Sequence, residues 1–158
     1  MTLRNRFAAL FSLLIISFSS AADAQPLPVL ENLQADQQNA GDRFLLVLVS
    51  QPDCSYCELV EEEVLEPMQL SGQYNDRLLF RNLIIHDGRD VTDSDGTMIS
   101  ASQLARRYNS SMTPTLLFID PQSGAEIADK MIGVSNIEMY GFYVDKQVKI
   151  AHRFKTTP

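Results

Sequence analysis

The most informative part of the sequence is the stretch Phe44-Leu-Leu-Val-Leu-Val-Ser-Gln-Pro-Asp-Cys-Ser-Tyr-Cys57. Its first six residues, 44–49, are all apolar and have the length of a β-strand. A strand without a polar side is typical of the centre of a sheet that is covered on both faces. Proline and aspartate then break the strand, and Cys54 and Cys57 stand at the start of a helical pattern. The stretch therefore predicts a strand–turn–helix unit with a C-x-x-C pair at its turn.

The position of the two cysteines favours thiol chemistry. Free N–H groups and the dipole of a first helical turn stabilise a thiolate, so Cys54 is the predicted nucleophile. Cys57, one turn later, is placed to attack a mixed disulfide on Cys54. Half of a zinc site would look the same, but the sequence holds only two Cys and two His, and their positions argue against a four-ligand site. We therefore predict no metal, flavin or nucleotide, because the dithiol itself carries the two electrons.

The rest of the sequence predicts one α/β unit. Helical and strand-like stretches alternate, which favours parallel pairing of the early strands. The last two strands are joined by a tight turn at 121–124 and should form an antiparallel hairpin. The expected architecture is a mixed central β-sheet flanked by helices. In order, the pattern predicts a helix over 27–40, a strand over 44–49, a helix from Cys54 that Pro67 should kink or end, a strand over 78–85, a loop over 86–96, a helix over 100–108 with Ser100 as its N-cap, strands over 115–119 and 126–132, and a helix from 136 to about 152.

Length and charge narrow the classes of function. The chain has 158 residues, 45% of them hydrophobic, which suits one compact domain. Its formal net charge is -7. An acidic chain repels phosphate backbones and no basic patch offsets the charge here, so we predict no nucleic-acid partner.

The N-terminal segment has the pattern of a secretory signal peptide. Basic residues precede an apolar run over 7–18, and Ala22-Asp-Ala24 provides the small residues that a signal peptidase reads. The run is too short to span a bilayer comfortably, and an uncleaved membrane anchor is the alternative. We therefore expect a signal peptide at 1–24, a domain at 25–158 and a periplasmic or otherwise exported location. In an oxidising compartment, a disulfide that closes so short a loop is a poor staple, which again favours redox chemistry.

The sequence holds a second informative stretch, Tyr108-Asn-Ser-Ser-Met-Thr-Pro-Thr-Leu-Leu-Phe-Ile-Asp120. Together the two stretches resemble the thioredoxin family: the first its strand and active-site turn, the second the signature that holds a cis-proline beside the active site. By this resemblance Pro114 is the cis-proline and Thr113 the residue before it. The resemblance implies a thioredoxin-like fold in which Thr113 and Pro114 shape a substrate groove, and Ser55 and Tyr56 contact the substrate.

A narrower resemblance comes from three features outside the two stretches. They are the predicted signal peptide, the polar loop that ends in Asp95-Gly96, and the segment Leu104-Ala-Arg-Arg-Tyr108. Together they resemble exported thioredoxin-like proteins of the SoxW type.

The chain departs from many thioredoxins near the cysteines. Leu48 stands six residues before Cys54, where many thioredoxins carry a buried aspartate that accepts a proton. Asp53 replaces the usual tryptophan, and Glu58 stands where lysine is frequent. Five glutamates at helical spacing predict the solvated side of a helix, and an acidic rim that selects basic partners is the alternative. They are Glu58, Glu61, Glu62, Glu63 and Glu66.

These features predict an exported thiol–disulfide oxidoreductase in which Cys54 attacks and Cys57 resolves. Because the chain is too small for an added helical or dimerisation domain, we expect a reductase of protein disulfides. The resemblance implies protein thiol and disulfide substrates and a membrane electron donor of the DsbD/CcdA type, and we expect a monomer. The alternatives are an oxidase or isomerase on the same fold, and a redox-inert binding or chaperone module that keeps the thioredoxin fold.

Overall fold

The computed structural model describes residues 25–156. The predicted signal peptide at 1–24 lies outside the described residues. The helices are α1 (Leu33–Asn39), α2 (Ser55–Val60), α3 (Glu66–Leu70), α4 (Ala101–Arg107) and α5 (Ile137–Thr156), and a π-helical segment, Glu61–Leu65, joins α2 to α3. The strands are β1 (Phe44–Ser50), β2 (Leu78–Ile84), β3 (Asp90–Thr92), β4 (Met98–Ser100), β5 (Thr115–Ile119) and β6 (Met131–Ile132). No helix in this part of the chain is both long and apolar enough to cross a membrane.

Strand β1 lies at the centre of a mixed sheet. The strand order is β2-β1-β5-β6, and β1 pairs in parallel with β2 and antiparallel with β5. Strands β5 and β6 pair antiparallel. The predicted mixed sheet, the parallel pairing of the first two strands and the antiparallel pairing of the last two are therefore confirmed.

The side chains of β1 alternate between two hydrophobic cores. Its even-numbered apolar residues, Phe44, Leu46 and Leu48, belong to the core that the helix after Cys57 and α5 complete. Its odd-numbered apolar residues belong to the core on the other face, which α1 and α4 complete. All six side chains have no exposed surface, and burial of each contributes about 1.5–3 kcal/mol to folding. The strand is covered on both faces, as its apolar run predicts.

The predicted first helix begins later than expected. Residues 25–32 are extended beside β2, where Leu30 N–H donates to the Asn82 carbonyl at 2.8 Å and Asn82 N–H donates to the Pro28 carbonyl at 2.8 Å. Residues that precede a proline disfavour the helical region, and two prolines stand in this segment. Asn32 then caps α1 by accepting a hydrogen bond from Ala35 N–H. The prediction of a helix from residue 27 was therefore wrong over its first turns.

The helix that follows the cysteines contains a π-helical segment before its proline. Glu66 N–H donates to the Glu61 carbonyl, five residues earlier, which is the hydrogen bond of a π-helix. Pro67 therefore falls in the first turn of α3, where the N–H that proline lacks has no partner to lose. The sequence predicted that Pro67 would kink the helix or end its first segment, but the helical conformation runs through Pro67, with the π-helical segment placed before it.

Two predictions about strands need correction. Part of the predicted loop over 86–96 pairs as β3 with β4 in a small hairpin, whose turn is held by Asp93 N–H donating to the Thr97 carbonyl at 2.8 Å. The predicted strand over 126–132 is reduced to β6 and one isolated bridge between Glu126 and Ile119. The intervening residues 128–130 are alanine, aspartate and lysine, which are weak strand formers. The final helix, α5, runs four residues further than predicted.

The N-cap of α4 provides a test of the fold. Ser100 accepts a hydrogen bond from Gln103 N–H, and the Gln103 side chain accepts one from Ser100 N–H. We expect Ser100→Ala to lower the free energy of unfolding by about 1 kcal/mol in urea titrations of the oxidised protein. Ser100→Thr, which keeps the hydroxyl, should stay near the wild type. Equal midpoints for wild type and Ser100→Ala would contradict the assignment.

Candidate active site

The two cysteines form a disulfide at the junction of β1 and α2. Cys54 is the N-cap of α2, and Cys57 N–H donates to Cys54 Sγ at 3.2 Å. Cys54 is half-buried, whereas Cys57 retains only 3% of its surface. The strand–turn–helix unit expected from the sequence is therefore present, with the first cysteine accessible and the second shielded.

Asp53 provides the sharp bend between the strand and the helix. Its backbone has φ 56°, in the left-handed region that aspartate tolerates better than most residues. The chain then enters α2 at once, with Cys57 N–H and Glu58 N–H both donating to the Cys54 carbonyl at 2.9 and 3.1 Å. The bend therefore fixes Cys54 at the helix terminus, where the Cys57 N–H also donates to its sulfur.

The second sequence stretch lies directly beside the disulfide. The Thr113–Pro114 peptide bond is cis, as the resemblance implied. The hydroxyl oxygen of Thr113 lies 3.7 Å from Cys54 Sγ, so the hydroxyl can donate to the sulfur. Pro114 is buried at the start of β5, and its carbonyl accepts a hydrogen bond from Gly133 N–H at 2.8 Å. Residues 59 positions apart in the chain are thus brought to one site.

Exposed side chains surround Cys54. Ser55 and Tyr56, which separate the cysteines, are both exposed, and Tyr56 retains 61% of its surface. Met112, one residue before Thr113, retains 66%. The site therefore has two large exposed side chains next in sequence to the residues that meet at the sulfur.

A pocket lined mainly by polar residues includes Cys57 in its wall. Its lining includes Ser50, Asn82 and Glu61 together with Cys57. Ser50 Oγ donates to Asn82 Oδ1 at 2.5 Å, and Asn82 Nδ2 donates to Glu61 Oε2 at 3.0 Å. The other carboxylate oxygen of Glu61 accepts a hydrogen bond from Leu27 N–H at 2.8 Å. Four separate segments of the chain thus meet in one hydrogen-bonded network next to the second cysteine.

Burial within this network changes the pKa of the Glu61 carboxyl group. Burial raises the pKa of its carboxyl group, the hydrogen bond from Leu27 N–H opposes this, and repulsion from Glu66 and Glu62 raises the pKa further. Of the five glutamates predicted to be solvated, Glu58, Glu62 and Glu63 are exposed. Glu61 is half-buried and Glu66 is buried, so the prediction was wrong for these two. The available signal was the four-residue spacing from Cys57 to Glu61, which places both on one helix face.

The described part of the chain holds no cluster of metal-binding side chains. Among residues 25–156, no three His, Cys, Asp or Glu side chains converge in a way that could hold a metal ion.

Comparison with known proteins gives the family. The sequence profile of the thioredoxin-like domain matches residues 30–146. The chain belongs to the thioredoxin-like family. No curated protein matches the sequence. The expected thioredoxin-like fold, with its mixed sheet between helices, is thereby confirmed.

Solved structures of thioredoxin-like proteins share this fold at low sequence identity. Oxidised thioredoxin O2 from Arabidopsis thaliana is 18% identical with a TM-score of 0.52, over 77% of this chain and 93% of that one. An oxidoreductase named DsbH is 16% identical with a TM-score of 0.55, over 80% of this chain and 88% of that one. At these identities the likeness of this thioredoxin-like chain to the solved structures establishes the fold alone.

The unequal environments of the two cysteines lead to a prediction for the reduced protein. Cys54 is accessible and its sulfur receives a hydrogen bond from Cys57 N–H at the helix terminus, whereas Cys57 is shielded. We expect iodoacetamide at neutral pH to alkylate the Cys57→Ser variant, which keeps Cys54, about tenfold faster than the Cys54→Ser variant. Mass spectrometry measures both rates. Equal rates, or the reverse order, would show that the roles are misassigned.

Proposed function

We propose that this chain is an exported thiol–disulfide oxidoreductase of the SoxW type that reduces disulfides in other proteins. The observation that carries the proposal is the meeting of Cys54, at the N-terminus of α2, with Thr113 and the cis-proline that follows it. This arrangement combines a sulfur that can be a thiolate with an adjacent backbone segment on which an extended substrate can lie.

The reaction uses the two cysteines in sequence. The thiolate of reduced Cys54 attacks one sulfur of a substrate disulfide, forms a mixed disulfide and releases the first substrate thiol. Cys57 then attacks Cys54 Sγ, which releases the second substrate thiol and leaves the Cys54–Cys57 disulfide seen in the structure. Two electrons pass from the dithiol to the substrate. Thr113 and Pro114 line the groove in which the substrate segment lies, while Ser55 and Tyr56 contact it from the cysteine loop.

The negative charges near the dithiol favour reduction of substrate disulfides over their formation. Asp53, Glu58 and Glu61 line the pocket that also contains Cys57. Negative groups disfavour a thiolate, so they destabilise the reduced form and make the couple more reducing. Solvent screens Asp53 and Glu58, which are exposed, and their individual effects are small. Together they favour a reductase that a membrane electron donor of the DsbD/CcdA type keeps reduced.

One observation favours a second candidate, a disulfide oxidase on the same fold. Cys57 N–H and the Thr113 hydroxyl both lie within hydrogen-bonding distance of Cys54 Sγ, at 3.2 and 3.7 Å. Such donors stabilise the thiolate and therefore the reduced form, which makes a disulfide more oxidising. The carboxylates and the donors thus act in opposite directions on the same sulfur.

The sequence of residues 1–24 supports export of the chain. The charged start, short apolar run and small residues before residue 25 are the pattern that a signal peptidase recognises. In this proposal the signal peptide is removed and the domain at 25–158 acts as a monomer in the periplasm.

Reduction of insulin by dithiothreitol tests the proposed activity. We expect the wild-type chain to accelerate the precipitation of insulin B chain well above dithiothreitol alone, because its dithiol is a better-placed nucleophile. Cys54→Ser should fall to the background rate, and Cys57→Ser should accumulate a mixed disulfide instead of turning over. A wild-type chain no faster than dithiothreitol alone would favour the redox-inert binding module.

A further inference from the structure

Resolution of the mixed disulfide requires a proton to leave Cys57. The thiolate, not the thiol, is the nucleophile in disulfide exchange. Cys57 retains only 3% of its surface, and burial disfavours the charged form of a thiol. Strand β1 offers no carboxylate base. Leu48, which stands six residues before Cys54 where many thioredoxins carry a proton-accepting aspartate, is fully buried in an apolar core. A carboxylate that accepts the proton of Cys57 must therefore come from another segment that lines the same pocket.

Glu61 is placed for this role by the helix. It follows Cys57 by four residues, and its N–H donates to the Cys57 carbonyl, so one regular helical turn separates them. Side chains at this spacing share a helix face. Glu61 and Cys57 also line the same pocket, whereas Glu62 and Glu63 are exposed to solvent.

The Glu61 carboxylate is held by groups outside its own helix. Leu27 N–H binds Oε1 at 2.8 Å and Asn82 Nδ2 binds Oε2 at 3.0 Å. Asn82 is itself fixed by Ser50 Oγ, at 2.5 Å from Asn82 Oδ1. Each carboxylate oxygen accepts one of these bonds and keeps further acceptor capacity for a proton. Both bonds lower the pKa of the Glu61 carboxyl group, but the network fixes the carboxylate in place and leaves it able to accept a proton.

The surroundings also make Glu61 a better base than a solvated glutamate. Burial raises the pKa of its carboxyl group against the opposing bond from Leu27, and the charges of Glu66 and Glu62 add to the increase. A base is most effective when its pKa approaches the working pH. The other charged groups that line the pocket are Asp53, Glu58, Asp87 and Arg89, and the last two are paired with each other at 2.5 Å.

We propose that Glu61 is the proton acceptor for Cys57 when the mixed disulfide is resolved, an inference that rests on the proposed exchange reaction. The Cys57 S–H bond breaks and its proton passes to the Glu61 carboxylate, directly or through one water in the pocket. The Cys57 sulfur bonds to Cys54 Sγ as the bond from Cys54 to the substrate sulfur breaks. The substrate leaves as a thiolate and takes a proton from solvent, and Glu61 later returns its own proton to solvent. Two electrons move from the dithiol to the substrate.

The test separates the two chemical steps on the protein itself. Reduced chain, in slight excess over 5,5′-dithiobis(2-nitrobenzoate), releases one thionitrobenzoate when Cys54 attacks and a second when Cys57 resolves. Stopped-flow absorbance measures both phases from acidic to alkaline pH. The variant is Glu61→Gln, whose side-chain oxygen can still accept the bond from Leu27 N–H. The matched control is Glu63→Gln, which removes the same charge from an exposed position in the same helical segment and is not among the groups that shift the pKa of Glu61.

We expect Glu61→Gln to slow the second phase about 100-fold at neutral pH, which is the range of a lost general base. The first phase should keep a similar rate, and Glu63→Gln should match the wild type in both phases. In the wild type, the rate of the second phase should fall at acidic pH, following an ionisation above the usual range of glutamate. In Glu61→Gln this ionisation should be absent, and the rate should follow the ionisation of the thiol alone.

Two results would overturn the proposal. One is a second phase in Glu61→Gln with the rate and pH profile of Glu63→Gln. The other, which does not depend on the variant folding, is a wild-type second phase without an ionisation on the acid side. Neither result bears on insulin reduction, so failure of this role and failure of the proposed activity are distinguishable. A chain that resolves the mixed disulfide through a carboxylate yet fails to reduce insulin would contradict only the proposed activity.

Discussion

Burial of β1 on both faces is the constraint on which the site depends. Its alternate side chains join two separate cores, so neither face of the strand is free to move relative to the helices. The strand ends at Ser50, three residues before the bend at Asp53, and the residue after the bend is the N-cap Cys54. Because a packed strand and a helix terminus meet within a few residues, the position of the first sulfur is set by the core of the protein rather than by a loop.

The antiparallel partner of β1 brings the second half of the site to the first. Val49 lies opposite Thr115 in the β1–β5 register, so the Thr113–Pro114 step falls beside the end of β1. The parallel partner β2 contributes Asn82, which reaches both Ser50 and Glu61. One central strand thus organises two environments: an accessible one around Cys54, and a hydrogen-bonded one next to the shielded Cys57. This division suits a pair of cysteines with different tasks.

The sequence predicted correctly those structural elements that are determined by residues close together in the chain. The apolar run of β1, the Ser100 cap and the C-x-x-C turn are encoded by neighbouring residues, and all three were predicted correctly. The extended segment at 25–32 and the β3–β4 hairpin depend on pairing with distant strands, and they were missed. Glu61 shows the same limit, because Asn82 and the backbone of Leu27 distinguish it from the exposed Glu62. Helical spacing could identify the face of Glu61, but not the groups that hold it there.

The central claim is that the carboxylates near the dithiol outweigh the hydrogen-bond donors at Cys54 and make the pair a reductant. The reduction potential of the Cys54–Cys57 couple, measured by equilibration against glutathione buffers, tests this claim most directly. We expect a value on the reducing side of about -200 mV, in the direction of the roughly -270 mV of thioredoxin. A value near -120 mV, as found for a strong disulfide oxidant, would contradict the claim and assign the chain to disulfide formation.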